Sequence, residues 1–177
     1  MALHPDCAAY LKSTAEWMAR EGLPPFWEMS PARARKVIHD AIIGTRPALP
    51  AMAVVEDRQI PTRNGKLPVR ILRPTPVGSG SLPVIVYYFG GGYVIGGIDD
   101  SEQESRRLAE RTPAVVVAVG YRLAPEHRFP AAIDDAYDAA KWVAEHAAEH
   151  GGDPKRLVVS GSSAGGGLAA AVARLSV

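Results

Sequence analysis

Leu157-Val158-Val159-Ser160-Gly161-Ser162-Ser163-Ala164-Gly165-Gly166-Gly167-Leu168 is the stretch whose reading decides the fold. Leu157 to Ser160 reads as a short strand and the Ala/Gly-rich run after Ser163 as a helix, with Gly161-Ser162-Ser163-Ala164-Gly165, a G-x-S-x-G pattern, between them. Small residues flank a serine in this way where a sharp strand-to-helix turn brings backbone against backbone and lifts the serine above the sheet edge, facing the helix N-terminus. The positive end of that helix favours negative charge developing nearby. By itself the pentapeptide is weak, because a glycine-rich helix start chosen only for tight packing looks the same.

A second glycine cluster upstream gives the turn its meaning. Val84 to Tyr88 is a nearly continuous apolar run, typical of a strand covered on both faces, and Phe89-Gly90-Gly91-Gly92-Tyr93 follows it directly. Backbone N–H groups can meet a charged oxygen at close range only where no side chain obstructs the approach, which is a reason for glycine there. The two clusters, in this order, make Ser163 the candidate nucleophile, with Gly90, Gly161 and Gly165 supporting the loop and the turn.

Around this pair the chain alternates. Helices are expected near Ser101–Arg111 and Ala131–His150 and strands over Ala114–Val119 and Leu157–Ser160, the order of parallel βαβ units. Before them, Val54 to Ile60 and Leu67 to Leu72 read as an antiparallel hairpin around Asn64-Gly65, joined to the first parallel strand by a Pro/Gly/Ser-rich loop over Pro74–Ser81. Earlier still, apolar spacing (Ala8, Leu11, Ala15, Met18) predicts a helix over Pro5–Arg20. A second is predicted over Ser30–Ile43, with Ser30 as N-cap, Pro31 at the first position and Gly44 closing it. The fold class is α/β, with residues 1–45 as N-terminal helices and 46–177 as the sheet domain.

Gly120-Tyr121-Arg122-Leu123-Ala124-Pro125-Glu126-His127, followed by Phe129-Pro130-Ala131-Ala132, completes a set of motifs. Through it, the glycine loop and the Ser163 turn, the chain resembles the hormone-sensitive-lipase-like family of bacterial carboxylesterases, of the α/β-hydrolase fold, from about its first helix to its last residue. The resemblance implies an N-terminal portion of that fold, ending just past the nucleophile turn. It implies oxyanion donors at the backbone amides of Gly91, Gly92 and Ala164, and makes the N-terminal helices a cap over acyl and alcohol pockets. It also implies hydrolysis of short-chain carboxylic esters through an acyl-enzyme at Ser163. Phe89 stands where the family usually has histidine, removing a hydrogen-bonding side chain that helps to hold the loop, and Ser162 stands where aspartate is usual.

In the order of this fold a triad acid and histidine follow the serine, yet residues 164–177 contain no Asp, Glu or His. The chain also ends at Leu175-Ser176-Val177 without a helix stop, so the sequence reads as lacking the triad's second half. The expected consequence is residual activity only, together with a free sheet edge after the nucleophile strand. That edge invites self-association or pairing with a complementing C-terminal fragment. All histidines (His4, His39, His127, His146, His150) precede the serine, and His127 sits in what looks like a structural loop. The competing reading is an inactive hydrolase relic that serves at most as a binding or interaction module.

Other patterns carry less. His146-Ala147-Ala148-Glu149-His150 matches H-x-x-E-H, but histidines in a last helical turn before Gly151-Gly152 suit the helix dipole without a metal. Gly165 to Ala170 fits a relaxed dinucleotide pattern with no acidic residue after it to hold a ribose. Neither metal nor cofactor is expected. Tyr10, Trp17, Phe26 and Trp27 read as packing residues of the N-terminal helices. The net charge of +1, from 20 basic and 19 acidic residues, is scattered, with its densest basic cluster at 33–36, and argues against a nucleic-acid partner. With 47% hydrophobic and 22% charged residues the chain has a globular composition. No run reaches a membrane span, and the lone Cys7 favours a reducing, cytoplasmic setting.

Overall fold

A computed structural model describes residues 2–75 and 80–176. Two helices come first, α1 (Pro5–Arg20) and α2 (Pro31–Thr45). The α2 start is set by Ser30, whose side chain accepts from Arg33 N–H at 3.3 Å, with Pro31 pre-set for the first turn. Gly44 does not stop this helix. It runs on to Thr45 and ends where Arg46 turns extended, the conformation that Pro47 imposes on the residue before it.

The sheet has five strands: β1 (Val54–Thr62), β2 (Gly65–Arg73), β3 (Leu82–Tyr88), β4 (Val115–Val119) and β5 (Gly152–Gly161), in the order β1-β2-β4-β3-β5. β1, β2 and β4 are antiparallel neighbours, and β3 runs parallel to β4 on one side and to β5 on the other. The loop expected over Pro74–Ser81 falls partly on residues 76–79, outside the described residues. β5 begins five residues before the expected Leu157. Leu82 pairs with Gly152, then the register jumps so that Val84 faces Leu157. The intervening Asp153 accepts from Lys155 N–H at 3.0 Å and Pro154 has no N–H to give the ladder, so this part bulges and reads in sequence as a turn.

Three further helices cover the sheet: α3 (Glu102–Arg111), α4 (Ala131–His146, extended by a 3₁₀ turn Ala147–His150) and α5 (Ala164–Leu175). Successive side chains of a strand face opposite ways. Tyr88 donates its hydroxyl to the Ala136 carbonyl of α4 at 2.8 Å, whereas Tyr87 lines a cavity with Gln103, Glu104 and Arg107 of α3. α3 therefore lies on one face and α4, with α5 against it, on the other. Sandwiched between them, every residue of Val84–Tyr88 and Val115–Val119 is buried, and each fully buried aliphatic side chain contributes about 1.5–3 kcal/mol.

The outer parts are less covered. α1 buries no residue and α2 only Ala34, and the aromatics Tyr10 and Trp27, expected to pack, are 70% and 85% exposed. The reason is local: the apolar faces of these elements meet little of the sheet. At the opposite side β5 pairs only with β3 among the described residues, leaving Val158 54% exposed. No helix among the described residues is long and apolar enough to cross a membrane.

Candidate active site

β3 and β5 end level, Tyr88 opposite Gly161, so the two glycine clusters leave neighbouring strands side by side. At the end of β5, Ser162 N–H donates to the Tyr88 carbonyl at 3.2 Å and the chain reverses into α5, with Gly165 N–H on the Ser162 carbonyl at 2.8 Å. Ser163, at φ 49° and ψ −115°, occupies a left-handed region that costs a residue with a Cβ of order 1–3 kcal/mol. The flanking glycines are steric necessities. A Cβ on Gly161 would strike the Gly165 backbone and lie 2.7 Å from the Tyr88 carbonyl oxygen, and one on Gly165 would strike that same carbonyl and lie 2.6 Å from the Phe89 oxygen.

Serine before a helix ordinarily caps it with its own hydroxyl. Ser163 makes no such bond; its exposed hydroxyl has no hydrogen-bond partner among the described residues, and the Ala164 amide beside it is one of the unpaired N–H groups that open a helix.

The glycine loop comes up against this serine. A Cβ on Gly90 would be 3.0 Å from the Ser162 oxygen and 3.3 Å from Ser163 Cβ. Gly91, Gly92 and Tyr93 follow at φ 130°, 60° and 64°, and the Gly91 carbonyl accepts from Val94 and Ile95 N–H at 3.1 and 3.0 Å. The amides of Gly91 and Gly92 donate to no described group. Gly92 has open space where a side chain would stand and borders a mainly apolar cavity of about 380 Å³, lined also by Tyr93, His127, Phe129 and Ile133.

Phe89, in place of the histidine usual in the family resembled, is held by other means. Its ring stacks on Tyr121 (centroids 4.3 Å apart, 14° between planes), and Tyr121 donates its hydroxyl to the Phe89 carbonyl at 2.7 Å. Burial raises the Tyr121 pKa, which keeps the hydroxyl protonated as a donor. Arg122 N–H and its guanidinium bind Asp135 of α4 at 2.8–3.1 Å, fastening the segment after β4. Sequence patterns gave no sign of the Tyr121 bond, or of Arg35, which reaches this loop from α2.

None of the histidine side chains bonds to Ser163 among the described residues. His127 lines the cavity beside Gly92 and makes no bond to Ser163. His146 stacks on Trp142 and sets Nδ1 2.9 Å from the Trp142 carbonyl, while His150, its ring also beside Trp142, lies between Glu56 and Arg58. No cluster of three or more metal-binding side chains occurs among the described residues. The glycines of the dinucleotide-like pattern lie inside α5.

A strained serine between a parallel strand and a helix, beside a glycine loop from the adjacent strand, defines a class. Residues 85–177 match the alpha/beta hydrolase fold family, and the chain belongs to it. Among curated relatives it is similar to carboxylesterase NlhH of Mycobacterium tuberculosis, 52% identical over 110 residues (62% of this chain, 34% of that protein). It is also similar to ethyl acetate hydrolase of Pseudomonas putida, 38% identical over 179 residues (98% of this chain, 55% of that protein). Among solved structures, the hyperthermophilic esterase of the archaeon Pyrobaculum calidifontis superposes with a TM-score of 0.82 at 39% identity, over 99% of this chain and 53% of that one. An ester hydrolase from the metagenome of Lake Arreo, complexed with a bipyridine phosphonate derivative, gives 0.89 at 34% identity, over 98% and 55%. The chain thus spans between about a third and about half of the length of these curated relatives.

Proposed function

We propose that this chain carries the nucleophile and oxyanion site of a serine carboxylesterase acting on short-chain carboxylic esters. Ser163 Oγ attacks the ester carbonyl, and the amides of Gly91, Gly92 and Ala164 receive the negative charge that develops on its oxygen. The acyl group passes to Oγ as the alcohol leaves, and water then releases the acid. The observation that carries this reading is the uncapped Ser163 hydroxyl on its strained turn, set against Gly90. The mainly apolar cavity beside Gly92 supports a small acyl or alkoxy group as the part accommodated, in keeping with the ethyl acetate named in one relative.

The general base and its acid partner are not among residues 164–177, and no described histidine bonds to Ser163. In this reading the Ser163 hydroxyl attacks without a hydrogen-bonded base, so its serine-dependent rate is small and adds to the part of catalysis that binding and oxyanion stabilisation provide. The free edge of β5, with Val158 exposed, is where self-association or a complementing segment would add a strand, and the single, exposed Cys7 fits a cytoplasmic setting.

Hydrolysis of a short-chain aryl ester by the chain, measured beside Ser163→Ala, tests the assignment. A serine-dependent excess rate is expected; equal rates would overturn it.

A further inference from the structure

We propose that Arg35, on the N-terminal helix α2, is a positioning residue that aims the Gly92 amide at the oxyanion site. The inference deepens the esterase reading and rests on it. Arg35 lies beside Ala34, the buried residue of α2, and its guanidinium meets several acceptors at once. Nε donates to the Val94 carbonyl at 2.7 Å and Nη2 to the Ala124 carbonyl at 2.7 Å, while Nη1 and Nη2 hold the two Glu126 oxygens at 2.9 and 2.7 Å.

The Val94 contact reaches the candidate oxyanion donors through rigid geometry. Val94 gives its carbonyl to Arg35 and its N–H to the Gly91 carbonyl at 3.1 Å, with Ile95 N–H at 3.0 Å on the same oxygen. The Gly91 carbonyl and the Gly92 N–H belong to one trans peptide plane and point in opposite directions. Tying down the first therefore fixes the aim of the second, away from the turn. Ala124, the other carbonyl on Arg35, donates its N–H to the Tyr93 carbonyl at 2.9 Å, so the guanidinium braces both sides of a segment that holds left-handed backbone at Gly91, Gly92 and Tyr93. Such backbone persists only where its surroundings over-determine it. A planar fork reaches all of these acceptors; a lysine ammonium, one compact donor centre on a flexible stem, does not.

The test compares the full chain with Arg35→Met, Arg35→Lys and Glu126→Gln by residue-resolved amide hydrogen exchange and by affinity for a short alkylboronic acid. That acid adds to Ser163 as an Oγ–B bond forms and the hydroxyl proton passes to solvent, leaving an anionic tetrahedral boron. Arg35→Met should speed exchange at Val94 and Ile95 at least 10-fold, with β3 and β4 amides unchanged, and should weaken boronate binding about 10-fold. Arg35→Lys, which keeps a charge facing Glu126, should fail to rescue either. Glu126→Gln, which keeps both carbonyl contacts, should stay within about 2-fold of the unsubstituted chain. Unchanged exchange at Val94 and Ile95, a rise shared equally by β3 and β4, an equal effect of Glu126→Gln, or rescue by lysine would each overturn the proposal. Should Arg35→Met not fold, the lysine variant decides by the same criteria. Absence of any boronate adduct in the unsubstituted chain would overturn the esterase reading instead, and the exchange arm would still decide whether Arg35 holds the loop.

Discussion

Tyr121→Phe is a sharp test of how the glycine loop is held without the histidine usual in the family resembled. The substitution keeps the ring that stacks on Phe89 at 4.3 Å and deletes only the hydroxyl that donates to the Phe89 carbonyl at 2.7 Å. Phe89 and Tyr121 are 3% and 2% exposed, and no other donor reaches that carbonyl among the described residues. A buried carbonyl left unpaired costs about 1–3 kcal/mol. The phenylalanine is cheaper to bury than tyrosine, which brings the expected net loss to about 1.5 kcal/mol. For a chain of this size that is a fall in Tm of roughly 3–6 °C. Urea unfolding should show a lower midpoint at unchanged slope, because the same surface is exposed. A midpoint indistinguishable from that of the unsubstituted chain would mean that the carbonyl has another partner or reaches water, and that the aromatic stack alone holds the loop.

Relief of the strained turn should be measurable: Ser163→Gly should unfold about 1 kcal/mol later than Ser163→Ala, since only glycine is at ease at φ 49°, and equal stabilities would deny the strain. Asp135→Asn weakens a carboxylate that is 1% exposed and holds both the backbone and the guanidinium of Arg122; a loss of about 3 kcal/mol is expected in chemical unfolding, and a loss below about 1 kcal/mol would show the pair to be dispensable. The Arg35 guanidinium draws the Glu126 carboxyl from its ordinary 4.5 down to about 2. Because the folded value is the lower one, the stability this carboxylate contributes is full above about pH 4.5 and disappears as pH falls to about 2. The difference in Tm between the unsubstituted chain and Glu126→Gln should vanish over that window, and a difference independent of pH would contradict the assignment.

The turn at Ser163 and the loop at Gly90–Gly92 were legible because their backbone geometry tolerates almost nothing but glycine, so sterics wrote themselves into the composition. The strands β3 and β4 were legible for a related reason: burial on both faces demands unbroken apolar runs, and Val84–Tyr88 and Val115–Val119 are such runs. What stayed hidden was whatever depends on a single side chain meeting a carbonyl far away in sequence. The Tyr121 hydroxyl on Phe89 and the Arg35 guanidinium on Val94 and Ala124 leave no periodic trace, since a tyrosine or an arginine at those positions suits many environments. The start of β5 was obscured by Asp153-Pro154, whose local bonding imitates a loop while the chain remains at the sheet. Gly44 signals the end of α2 too early, because a proline three residues later, not the glycine, sets the boundary.

The pairing of Tyr88 with Gly161 has a consequence for how such a centre endures sequence drift. Adjacent strands stand about 4.8 Å apart whatever their side chains, because peptide hydrogen bonds set the spacing. The gauge between the serine and the glycine amides is therefore written in main chain. Replacements along β3 and β5 can remodel the walls and alter what is admitted, while that gauge passes unchanged from one descendant to the next.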